Sequence, residues 1–245
     1  MDPTLVVLFY SSLAAGMAAV GVLPLLGRRK LPRHWIGWSN ALAGGLMLGV
    51  AYALLVSARE RVPLSGALGA LLGILFVNRT HAASGTSELD LNRLDETSPD
   101  YGYKVLLVNA VHSAAEGVAI GAAMAVNLSF GVFTALAIAV HNVPEGTVLA
   151  AILTSRSVRL RDAAGLAVAT NVSQVLLAIV TFALIAAAPG LMPWALGFAV
   201  GSLIYLVLAE LLPECYREAG STSIALVTLV AMGMVALLVS LGPGG

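Results

Sequence analysis

Long apolar runs separated by short polar connections fill the 245 residues of this chain, and the runs set the fold. A membrane-crossing helix needs about 20 mostly apolar residues to cover roughly 30 Å of hydrocarbon. Eight segments meet or approach that length: 4–26, 35–57, 63–78, 104–126, 130–153, 163–188, 192–212 and 223–241. The third is the shortest, and Gly66, Gly69 and Gly73 within it suit a tightly packed helix better than a lipid-facing one. The pattern predicts an all-α integral membrane protein with eight transmembrane helices in a single domain over 1–245. The one long connection, 79–103, is rich in Ser, Thr, Asp and Glu and poor in large apolar residues, so a mobile loop is expected there.

Composition and charge sharpen this picture. Charged residues make up 11% of the chain, well below the roughly one-quarter of soluble domains. No polar segment is long enough to bury a core of its own. The zero net charge points to no nucleic-acid partner, and a single cysteine, Cys215, excludes an intramolecular disulfide and a cysteine-rich zinc knuckle. No Lys or Arg precedes the first apolar run, whereas a cleaved secretory signal carries a basic leader, so a retained first span is expected. With eight spans, the connections after spans 1, 3, 5 and 7 hold 11 of the 13 cationic residues, and only Arg59 and Arg61 fall opposite. The positive-inside rule then places those connections, and the 79–103 loop, in the cytoplasm and both termini outside, as in a plasma or bacterial inner membrane.

Two of the four histidines interrupt the apolar runs in related motifs, HSAAEG at 112–117 and HNVPEG at 141–146. Chance makes Glu-Gly at that offset a roughly 0.003 event per histidine, so the repetition is not compositional. The copies lie on consecutive predicted helices joined by a short turn. Spacing i to i+4 sets each His and Glu on one helical face, about 5–6 Å apart at Cβ. An ionised carboxylate inside a bilayer is costly and needs a partner, and no Lys or Arg lies in the middle of any span. His112, Glu116, His141 and Glu145 together carry two negative charges, enough to neutralise one divalent cation. Imidazole and carboxylate suit zinc or iron(II), with cadmium as a mimic, and suit all-oxygen ions such as calcium less well. Pro144 cannot donate to the Val140 carbonyl and is expected to kink its helix near the site. Gly117 and Gly146 beside the glutamates leave either close helix approach or room for an ion.

HSAAEG and HNVPEG, in this order, resemble the fourth- and fifth-span motifs of the ZIP (Zrt/Irt-like) divalent metal transporters. The stretch YLVLAELLPECYR resembles that family's seventh span. The resemblance implies that His112, Glu116, His141 and Glu145 form the main metal site, with the metal as substrate and no cofactor. Met47 matches a methionine beside that site, a packing role being the alternative. Asn142 matches a ligand of an adjacent second metal position. Ser113 stands where the family often has Asn, and span 6, with Asn171, Ser173 and Gln174, lacks the acid many members carry, so a single high-affinity site is expected. His81 is the only histidine of the 79–103 segment, and Ala209 replaces a frequent histidine before Glu210. Glu210 and Glu214 match exit-path positions, the alternatives being interfacial carboxylates or proton carriers. The family resemblance implies import of zinc, cadmium, iron or manganese by alternating access, in which a bundle containing spans 1, 4, 5 and 6 shifts against a scaffold formed by the others, within a homodimer in the lipid bilayer. Two rival readings are an intramembrane metal-dependent hydrolase and a proton-coupled solute carrier. The first lacks H-E-x-x-H and the second lacks a core cation for an anionic substrate; no enzymatic activity is expected.

Overall fold

The computed structural model describes residues 2–27, 31–58, 63–84 and 99–241, all helical apart from short connections. Helix α1 (Pro3–Met17) starts under the Asp2 cap, which accepts the Thr4 N–H, and continues as a 3-10 helix over Ala18–Leu25. Helices α2 (Arg33–Ala58), α3 (Pro63–Ser84), α4 (Pro99–Val126) and α5 (Leu128–Ser155) follow. The next rod is divided at Asn171 into α6 (Leu160–Thr170) and α7 (Val172–Ala187). Another runs from α8 (Met192–Leu206) through a π-helical turn (Val207–Leu211) into α9 (Leu212–Ala219), and α10 (Ser221–Leu241) closes the bundle. Seven rods are long and apolar enough to cross a membrane. The eighth, α3, has 22 residues, about 33 Å at 1.5 Å per residue, with Asn78, Arg79 and His81 lowering its hydropathy. The chain is a multi-pass integral membrane protein.

The rods follow the predicted spans in order, with longer ends. The largest correction concerns the 79–103 segment, of which 79–84 belong to α3 and 99–103 to α4, while 85–98 lie outside the described residues. The polar residues at the end of α3 fold back onto the helix instead of leaving it: Thr80 Oγ1 donates to the Phe76 carbonyl and Ser84 Oγ to that of Thr80. His81 is thereby a buried helical residue, not a loop residue.

Two groups of helices form the bundle. Helices α1, α4, α5 and α7 pack on one another, and α2 lies along α10 and α9 while α3 runs along α8. The groups meet where α2 crosses α5 and α4 crosses α8. Because lipid gives helices no hydrophobic drive to associate, close approach of backbones carries the packing. A side chain at Gly117 would strike the Gln174 backbone, and one at Gly146 the Ala18 backbone. Close approach is thus what these two glycines provide. Gly73 and Gly201 serve the α3–α8 seam in the same way, against Phe198 and Ala70.

α4 is one continuous helix, and so is α5 across Pro144, which itself donates no hydrogen bond. The irregular backbone lies in the partner rods. The 3-10 turn of the first rod packs on α5 beside Pro144, with Gly21 against the backbone of Val143 to Thr147.

A candidate His/Glu metal site

His141 and Glu145 project from one face of α5, as their i to i+4 spacing requires, toward Glu116 on α4. His141 Nε2 lies 2.8 Å from Glu116 Oε1 and 3.6 Å from Glu145 Oε2. Ligand atoms of all three residues fall within 4.8 Å of one another. A tetrahedral zinc with bonds near 2.0–2.1 Å sets its ligand atoms about 3.3 Å apart, a value bracketed by the two His141 distances. Glu116 is fully buried and His141 is 2% exposed. Beyond the His141 imidazole, both Glu116 oxygens and Glu145 Oε2 have no hydrogen-bond partner among the described residues. Acceptor atoms buried without donors are costly, and their convergence on one imidazole nitrogen makes a donor set for a cation.

A backbone contact decides which nitrogen of His141 faces the carboxylates. Nδ1 lies 3.0 Å from the Ala43 carbonyl of α2. A carbonyl only accepts, so Nδ1 carries the hydrogen and Nε2 is turned to Glu116 and Glu145. Metal-binding histidines are commonly oriented this way. No side-chain signal in the sequence marks Ala43, because the contribution is made by its backbone.

The structure brings together three of the four expected ligands. His112 is buried on α4 but directs Nε2 to Glu210 Oε2 at 3.4 Å, and Glu210 Oε1 lies 3.2 Å from His81 Nε2. The two imidazole centroids are 6.3 Å apart. Glu210 reaches this position from the π-helical turn, and His81 from the end of α3. His81 was legible only as a lone loop histidine. Its role depends on α3 continuing past Asn78.

The remaining candidates frame the trio. Met47, one turn beyond Ala43, is buried in the central apolar cluster. Ser113 Oγ donates to Asn171 Oδ1 at 2.9 Å. Asn142 Nδ2 donates to the Ala14 carbonyl at 2.8 Å and to Gln174 Oε1 at 3.0 Å, and Gln174 Nε2 donates to the Ser11 carbonyl at 3.3 Å. This buried network ties α1, α5 and α7 together behind the site. Asn142 Oδ1 accepts no hydrogen bond from a described residue. Glu214 is buried at the start of α9 beside Cys215, four residues beyond Glu210.

Comparison with known proteins agrees with this geometry. Residues 78–241, more than half of the chain, match the family model described as ZIP zinc transporter. The zinc transporter GufA of Myxococcus xanthus is 30% identical over 222 residues, covering 84% of this chain and 87% of that protein. A candidate zinc transporter of Arabidopsis thaliana is 31% identical over 246 residues, covering 96% of this chain but only 38% of its own length. The human zinc transporter SLC39A7 is 30% identical over 150 residues, covering 56% of this chain and 31% of its own length. A donor set of this kind within a multi-pass bundle, a family match over most of the chain and a relative matched nearly end to end lead to one assignment: the chain belongs to the ZIP zinc transporter family.

Proposed function

We propose that the protein imports divalent transition-metal ions into the cytoplasm, zinc first, with cadmium, iron(II) and manganese(II) as further substrates. The observation that carries this reading is the convergence of Glu116, His141 and Glu145 on one point inside the bundle, with carboxylate oxygens that have no partner but His141 among the described residues. Two carboxylates and a divalent ion sum to zero charge, which suits passage through a low-dielectric interior. The zinc transporter names of the relatives support the choice of metal.

Alternating access fits the distribution of these contacts. The three converging ligands stand on α4 and α5, which belong to one packed group. Apolar packing of α2 on α5 and of α4 on α8 joins the groups, and the polar contacts that cross it include His141 to the Ala43 carbonyl and His112 to Glu210. Sliding of one group against the other breaks these two contacts while the ion stays with α4 and α5. His112 shares a helical face with Glu116, so rotation of its side chain adds a second imidazole to the trio. His112, Glu210 and His81 then form a continuous set of donors on one side of the site. Charge asymmetry supports placing that side at the cytoplasm. Gln174 and Asn171 are neutral and already hydrogen-bonded, which supports one tightly held ion with any second position weak.

Sidedness provides the test. Purified protein reconstituted with known orientation into vesicles containing a zinc-sensitive dye should move zinc from the face bearing the termini. Movement only from the opposite face refutes import, and no movement of any divalent metal refutes transport.

A further inference from the structure

A cavity of about 40 Å³ adjoins the trio on the side of His112 and Glu145. Its polar lining consists of Asn40 from α2, Asn109 and His112 from α4 and Glu145 from α5, and the rest is Val, Leu and Ile. One water needs about 10–15 Å³ by this measure, so an ion with one or two waters fits. Asn40 is 4% exposed and makes no hydrogen bond with a described residue. Asn109 is 8% exposed, and its Nδ2 donates to Thr170 Oγ1 at 2.9 Å, which commits the amino end of the amide and leaves Oδ1. Burying a carboxamide without partners costs about 1–3 kcal/mol. Asn40 and the Oδ1 end of Asn109 line one small cavity beside a carboxylate and an imidazole, which together make a set of cation donors.

We propose that this cavity is a transit site, in which the carboxamide oxygens of Asn40 and Asn109 take the metal ion as it leaves the trio. The inference rests on the import reading above. Glu145 belongs to both the trio and the cavity, so the ion changes neighbours without becoming free. The trio holds it with two carboxylates, the cavity with one carboxylate and neutral donors, and the weaker hold favours onward movement. Selectivity follows as well. Amide and carboxylate oxygens suit manganese(II) better than the softer cadmium. Asn40 is thus a specificity-determining residue for passage, distinct from the residues that set initial affinity.

The experiment compares manganese and cadmium uptake by proteoliposomes holding the wild-type protein, Asn40→Leu, Asn40→Asp or Asn109→Leu. Asn40→Leu should lower maximal manganese uptake about tenfold, the lower end for loss of a supporting metal contact. It should lower the manganese-to-cadmium ratio with it, leaving the half-saturating zinc concentration near wild type. Asn40→Asp, which keeps an oxygen, should retain manganese uptake. If Asn40→Leu does not fold, Asn109→Leu carries the same expectation. An unchanged ratio, or an equal loss for both metals as a packing defect produces, overturns the transit site while import stands. A wild-type protein that moves neither of these ions nor zinc overturns the import reading itself.

Discussion

Replacing Glu116 with glutamine should stabilise the metal-free protein and weaken its response to zinc. In the structure this carboxylate is fully buried, and beyond the His141 imidazole at 2.8 Å neither oxygen has a partner among the described residues. An unsatisfied buried polar group costs about 1–3 kcal/mol. Glu116→Gln removes the charge and places an amide N–H within reach of His141 Nε2, 2.8 Å from the present Oε1. A gain of about 2 kcal/mol corresponds to roughly 4–8 °C in Tm for a chain of this size. Zinc at 100 times its Kd stabilises the wild type by about 2.7 kcal/mol. A 100-fold weaker site at the same zinc concentration gains only about 0.4 kcal/mol. Thermal unfolding followed by tryptophan fluorescence, with and without zinc, reads both effects. A metal-free variant less stable than the wild type refutes the reasoning and assigns Glu116 to a protonated ion pair with His141. An undiminished zinc shift removes Glu116 from the site.

Two further outcomes follow from the same geometry. A Cβ at Gly146 would collide with the Ala18 backbone, whereas one at Gly16 meets nothing within 4 Å. Gly146→Ala should therefore cost about 1–3 kcal/mol and Gly16→Ala close to nothing; equal melting temperatures contradict the close approach of the first rod to α5. Histidine and carboxylate ligands bind metal without their protons, so zinc affinity should fall with pH, about tenfold per unit for each proton released. Calorimetry in buffers of different ionisation enthalpy counts those protons, and an affinity unchanged between about pH 7.5 and 5.5 contradicts ligation by these side chains.

Much of this arrangement was legible in the sequence because apolar runs and i to i+4 spacing are local properties. They gave the order of the rods and the shared face of His141 and Glu145. Gly117 and Gly146 were legible as packing positions, but only tertiary contacts decided between helix approach and space for an ion. His112 shows the limit most clearly. The repeated motif grouped it with Glu116, yet the rotamer is decided by Glu210, which arrives from a π-helical turn that no sequence period announces. The Ala43 carbonyl is invisible for a similar reason, since any residue there offers the same group. Asn40 stands in SNALAGG of α2 as an ordinary polar residue, and the cavity it faces exists only once α2, α4 and α5 have packed.

Passage of the ion through the trio is tested most directly by zinc uptake into proteoliposomes holding His141→Ala or Glu145→Ala protein that remains folded. Saturable uptake by the wild type, abolished in both variants, is the expected result. Uptake retained in both would place the metal pathway elsewhere in the bundle.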